Sequence, residues 1–162
     1  MKLREMLSHP LTRGLDIDDP QTTDLRRRII RNKPFLKRIY REWYEAIASR
    51  FSVGETVLEL GSGGGFLRET MPRLITSDVF PVPGVDRVED ARSLSFADRS
   101  LDGIVMTNVL HHIPDPASFL REAERTLKPG SRIVMIEPWN NAWSRFVYGK
   151  LHHEPFDPMA VD

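Results

Sequence analysis

The chain has no cysteine. That excludes a disulfide framework, a thiolate zinc site and a cysteine nucleophile. It also has no excess of either charge, with Lys+Arg and Asp+Glu both at 23. A neutral chain carries no global field to gather nucleic acid. No stretch approaches the ~18 uninterrupted apolar residues of a membrane span. The opening residues Met1-Lys2-Leu3-Arg4-Glu5-Met6 lack the apolar core of a secretory signal. A cytoplasmic location with no stable membrane insertion is therefore expected. There is no Gly-Lys-Ser/Thr, so no phosphate-binding P-loop. Internal repeats and low-complexity segments are also missing.

What is present is ordinary in bulk and informative in one place. The 162 residues, 40% of them hydrophobic and 28% charged, suffice for one globular core. Val57-Leu58-Glu59-Leu60 reads as a short buried strand, and Gly61-Ser62-Gly63-Gly64-Gly65 as a tight turn after it. Glycines there let the backbone lie close to a ligand. A dinucleotide fingerprint would need a third glycine at position 66, which is Phe. Glu59 sits at the carboxyl end of the strand, where open α/β sheets bind ligands. A carboxylate there suits a cationic amine better than a pyrophosphate.

Strand and helix patterns alternate around this turn. Strands are expected near 56–60, 74–78, 85–89, 102–107 and 131–137, and helices over 65–72 and 116–127. Lys128-Pro129-Gly130 marks the end of the latter helix. This alternation argues for an α/β fold, a Rossmann-like doubly wound parallel sheet with helices on both faces. Before it, two N-terminal helices are expected, one over 24–31 and one opened by Pro34. In the second, Leu36, Ile39, Tyr40, Trp43, Tyr44, Ile47 and Phe51 make one apolar stripe. Eight Lys or Arg lie between Arg26 and Arg41 with no acid among them. A solvated helix face explains that run more simply than an anionic partner does.

Polar residues gather at the expected strand ends. Asp78 closes the second strand, where an acid can accept hydrogen bonds from ribose hydroxyls. Asp90 and Ala91 follow the third, beside where an adenine can sit. Asn108 follows the fourth, and His111 and His112 come just after. Singly these read as turn caps and loop residues. Together, around one glycine turn, they favour a nucleoside site.

The ordered set resembles the class I S-adenosylmethionine-dependent methyltransferases, in particular the small-molecule branch with the ubiquinone and menaquinone biosynthesis enzymes. The matching pieces are Glu59 to Gly65, Asp78, Asp90-Ala91 with Leu94-Ser95-Phe96, Asp98 to Asp102, Leu110 to Pro116, and Leu127-Lys128-Pro129-Gly130. They cover about residues 53–137. The resemblance implies S-adenosylmethionine as cofactor. Its methionine part would face Gly61, Ser62, Gly63 and Gly65 and the start of the next helix, with Glu59 near the amino-acid end. Asp78 would hold the ribose, Val79 would pack on the adenine, Asp90 and Ala91 would meet its edge, and Asn108 would line the floor. His111, His112 and Glu137 are the candidate bases, and no metal is implied. The loop Thr107-Asn108-Val109-Leu110 lacks the Asn/Asp-Pro-Pro-Tyr pattern of amino-group methylation, and cytosine C5 methylation needs a cysteine. A small organic acceptor is therefore expected rather than nucleic acid.

Three segments follow: an N-terminal helical extension (1–52), the cofactor-binding α/β core (53–139) and a C-terminal helix and tail (140–162). The usual sixth and seventh strands are not legible in the last segment. That leaves the fifth strand, with Ile133, Val134, Met135 and Ile136, as an apolar edge. The chain is then a fragment, or a second copy covers this edge in a homodimer. The alternative to an enzyme is a non-catalytic cofactor-binding or scaffold module with the same fold.

Overall fold

A computed structural model describes residue 15, residues 20–139, and residues 141, 144 and 146. The chain divides into two compact units, Leu15–Glu137 and a second made of Met1–Gly14 with Pro138–Asp162. The helix expected over 140–151 and the tail after it lie outside the described residues, apart from positions 141, 144 and 146.

The larger unit begins with helices α1 (Pro20–Asn32) and α2 (Pro34–Ala48). Pro34 sits in the first turn of α2, where its missing N–H costs nothing. The apolar stripe of α2 does what its spacing requires: Tyr44 and Ile47 are each 1% exposed. Five strands follow, β1 (Val57–Leu60), β2 (Ile75–Asp78), β3 (Arg87–Val88), β4 (Leu101–Thr107) and β5 (Leu127–Ile136). Helix α3 (Pro116–Thr126) joins β4 to β5. Asp115 caps it by accepting the Ser118 N–H at 3.0 Å.

All strand pairs are parallel, in the order β3-β2-β1-β4-β5. Alternation along β1, β4 and β5 divides the core into two layers. Leu58, Leu60, Ile104 and Met106 pack with Phe119 and Ala123 of α3, and Ile133 joins them. Val57 and Val105 pack with Tyr44 and Ile47 of α2, joined by Val134 and Ile136. Helices thus cover both faces, and β1 is where the strand order reverses. The carboxyl ends of β1 and its neighbours form the crevice that such sheets use for ligands.

Two elements depart from the pattern read in the sequence. The helix expected over 65–72 is only a single 3-10 turn, Leu67–Glu69. Phe66 precedes it with non-helical φ −146° and ψ 30°. Glycines lie on one side and Pro72 on the other. Too few residues remain to repay the cost of nucleating an α-helix. The fifth strand starts earlier than expected: Leu127 already pairs with Leu101, and after an irregularity Arg132 pairs with Gly103. Among the described residues no strand pairs with the outer edge of β5, and no helix is long and apolar enough to cross a membrane.

Candidate cofactor site and catalytic residues

The glycine turn is shaped by what surrounds it. Gly61 has φ +64°, and a Cβ there would lie 2.5 Å from Val109 Cγ2. Only glycine meets both demands. Ser62 is buried and turned inward. Its N–H donates to the Ser77 carbonyl at 2.8 Å, and its hydroxyl donates to Glu59 Oε2 at 2.7 Å. The Ser77 N–H in turn donates to Ser62 Oγ at 3.2 Å. The peptide of Gly63 is gripped from two sides. Its N–H donates to Asp78 Oδ2 at 3.0 Å, and its carbonyl accepts Arg27 Nη2 at 2.9 Å. Helix α1 lies directly on Gly64, where a Cβ would meet the Arg27 nitrogen and the Thr23 carbonyl, each at 3.2 Å.

Asp78, at the end of β2, also accepts the Phe80 N–H on Oδ1 at 3.1 Å. Each carboxylate oxygen keeps a lone pair for a further donor. Val79 beside it is 54% exposed, an apolar surface left in the open. Glu59, 4% exposed, is the buried carboxyl of the site. Burial pushes its pKa from 4.5 up to about 7, against the pull of the Ser62 hydroxyl and the Arg68 charge. Arg68 itself is tied to Thr76, the Leu74 carbonyl and Asp86.

At the end of β3, Asp90 is not an open acceptor. The Arg92 side chain grips it, with Nε to Oδ1 at 3.0 Å and Nη2 to Oδ2 at 2.7 Å, and its N–H adds 2.9 Å to Oδ1. These bonds hold the carboxyl below its ordinary range. Ala91 packs at the margin of the core under this turn. At the end of β4, Asn108 adopts φ +57° and its N–H donates to the Ile136 carbonyl at 2.8 Å. Glu137 then acts as a hub. Its Oε1 accepts the N–H groups of Val109 and Leu110, both at 2.8 Å, and its Oε2 meets His111 Nδ1 at 2.6 Å. A carboxylate only accepts, so a neutral His111 donates from Nδ1 and carries its lone pair on Nε2. The His112 ring lies 4.1 Å from that of His111, centroid to centroid.

The structure thus joins Ser62 to Glu59 and Gly63 to Asp78 by hydrogen bonds on either side of the Gly61 turn, and His111 to Glu137 beside Asn108, whose N–H goes to the Ile136 carbonyl. It ties Asp90 to Arg92 instead. No motif or spacing singles out Arg27 or Arg92 along the chain. Arg27 was one of eight cations in a run that reads as solvated, and Arg92 had no motif at all.

An open parallel sheet reversing at a glycine turn, with carboxylates at successive strand ends, defines the class I S-adenosylmethionine-dependent methyltransferase fold. The chain belongs to the methyltransferase domain family, which matches residues 32–159. A 37.1 kDa uncharacterised protein in transposon TN4556 of Streptomyces fradiae is 36% identical over 54% of this chain and 32% of its own length. The ubiquinone biosynthesis O-methyltransferase of Xanthomonas oryzae is 32% identical over 51% of this chain and 42% of its own. The chain thus aligns with less than half the length of these relatives. A SAM-dependent methyltransferase from Aquifex aeolicus shares the fold with a TM-score of 0.56 at 19% identity, over 76% of this chain and 77% of that one.

Proposed function

We propose that this protein binds S-adenosylmethionine across the ends of β1 and β2 and transfers its methyl group to a small organic acceptor. The observation that carries this reading is Gly63 held to Asp78 beside the bare Gly61 turn. The residues fit the cofactor: Asp78 has free acceptor capacity for ribose hydroxyls, and exposed Val79 offers an apolar face to adenine. Asn108 lines the floor at the end of β4. Asp90 would have to release Arg92 to meet the adenine, so Ala91 is the better contact at that edge. When bound, the cofactor supplies an electrophilic sulfonium methyl, and the protein's share is alignment and exclusion of water.

His111 acts as general base in this reading. Glu137 fixes its Nδ1 side, which leaves Nε2 to take the proton of an acceptor hydroxyl; the cofactor, when bound, would give up its methyl to that oxygen and keep the pair of the broken carbon–sulfur bond on sulfur. A hydroxyl acceptor agrees with the ubiquinone O-methyltransferase relative. His112 and Glu137 play no direct part in the proton transfer. No group of residues able to hold a metal occurs among those described, and none is invoked. Nucleic acid is not the acceptor, and a cytoplasmic location belongs to the same reading.

The test is transfer of labelled methyl from S-adenosylmethionine to a panel of catechols, phenols, acids and amines. Product on a hydroxyl acceptor supports the reading. Cofactor binding with no product on any acceptor favours the scaffold alternative, which the outer edge of β5, unpaired among the described residues, supports. Met135 is exposed there, and pairing of two copies along that edge would make a homodimer visible by sedimentation.

A further inference from the structure

The basic run of the N-terminal helices is accounted for along α1 by contacts within the chain. Arg28 pairs with Asp24 at 3.2 Å, and Arg27 turns inward to the Gly63 carbonyl. The corner between α1 and α2 is different. Lys33 interrupts the helix there with extended φ −100° and ψ 106°, and Pro34 opens α2. The next residue, Phe35, is 72% exposed. About two and a half turns separate it from the buried Tyr44, so it stands on the opposite side of α2. Among the described residues of α1 and α2 it is the one large apolar side chain left in the open.

A lone exposed ring is ordinary on a protein surface. The setting of this one is not. Residues 31–39 read Arg-Asn-Lys-Pro-Phe-Leu-Lys-Arg-Ile, with four cations and no acid. Arg31, Lys33 and Arg38 are exposed, and Lys37 is half-buried. Arg31 pairs with Glu69 and Arg38 with Glu42, but all four side chains stand largely in solvent. Such pairs are weak and yield to a stronger anion. Among the described residues Lys33 and Lys37 form no ion pair.

An apolar tip among cations suits few partners. A second copy of the corner would set cation against cation. Single-stranded nucleic acid stacks on successive aromatic faces along a positive groove. Here one ring stands at an exposed corner, and the neighbouring Tyr40 packs inward on Tyr44 and Phe66. An anionic lipid surface satisfies both features at once. The ring enters the acyl boundary, and the cations meet the headgroup phosphates.

We infer that the α1–α2 corner docks this protein on anionic lipid surfaces, with Phe35 inserted and Arg31, Lys33, Lys37 and Arg38 on the headgroups. The inference stands independently of the proposed cofactor. Attachment is peripheral and reversible, because one ring and four cations fall far short of a spanning helix.

The experiment is co-sedimentation of the full chain with vesicles of equal parts phosphatidylcholine and phosphatidylglycerol, and with vesicles of phosphatidylcholine alone. The chain should pellet with the anionic vesicles and stay in solution with the neutral ones, and added salt should release it. Phe35→Ser should weaken partitioning about tenfold or more. Lys33→Gln combined with Lys37→Gln should also cost about tenfold or more, at roughly fivefold per cation. These side chains are exposed or half-buried, and thermal unfolding of each variant checks that the helices stay seated. Equal pelleting with both kinds of vesicle, pelleting with neither, or anionic pelleting that survives both sets of substitutions would overturn the inference. Tighter binding to a short single-stranded DNA, abolished by Phe35→Ser, would overturn it in favour of nucleic acid.

Discussion

Replacing Glu59 with Gln should stabilise the ligand-free protein at neutral and alkaline pH, and leave it unchanged in acid. Glu59 is buried on β1, and burial raises its pKa from 4.5 to about 7. The folded chain therefore holds this proton more tightly than the unfolded chain does. Between those two values the folded state binds more protons, so stability falls as pH rises through the window. At roughly 1.4 kcal/mol per pH unit, the rise amounts to about 3 kcal/mol once Glu59 is fully ionised. Gln has the same shape and no proton to lose, and its amide oxygen can still accept the Ser62 hydroxyl. The gain of Glu59→Gln should thus be near zero below the unfolded value and approach about 3 kcal/mol above the folded one. Urea unfolding at about pH 4 and about pH 8 reads it directly. Equal stabilities of the two chains at both pH values would refute the reasoning, and so would a destabilised variant at the higher pH. The same substitution should weaken a ligand bearing an ammonium group, a cost of function set against a gain in stability.

Three further outcomes follow from the geometry. Gly61→Ala should destabilise by about 2–4 kcal/mol, since φ +64° and the 2.5 Å approach of Val109 act together. Adding Val109→Ala should recover only the steric share, and full recovery in thermal unfolding would contradict the backbone argument. His111→Gln should lower kcat by about a hundredfold or more with cofactor affinity unchanged, which single-turnover kinetics and calorimetry separate. Glu137→Gln should cost a smaller factor in kcat, because it loosens the imidazole without removing it; an unchanged kcat would sever Glu137 from His111.

Much of this was legible along the chain, for identifiable reasons. Strands β1 and β4 announce themselves because buried parallel strands need apolar residues, and β5 is legible only in its apolar half, Ile133 to Ile136. Asp78 and Asn108 are legible as candidates because strand ends in such a sheet are where ligands go, and the structure places them at the ends of β2 and β4. The stripe of α2 was legible because Tyr44 and Ile47 recur at helical spacing. The missing helix after Gly65 was misread because its apolar residues suit a helix, and only Pro72 and the short span deny it room. Asp90 fits an adenine contact by position, but its capture by Arg92 is a two-residue side-chain event that periodicity does not report. Arg27 was hidden for a different reason. Its neighbours Arg26 and Arg28 carry the same charge, and only the packing of α1 on Gly64 distinguishes the one that reaches the glycine turn.

The most direct test of the central claim is calorimetric titration of S-adenosylmethionine into this chain and into its Asp78→Ala variant. Saturable one-to-one binding, weakened by about a hundredfold or more in the variant with unfolding still cooperative, is the predicted result. Equal affinity in the two chains, or no binding to the unaltered one, would contradict the account.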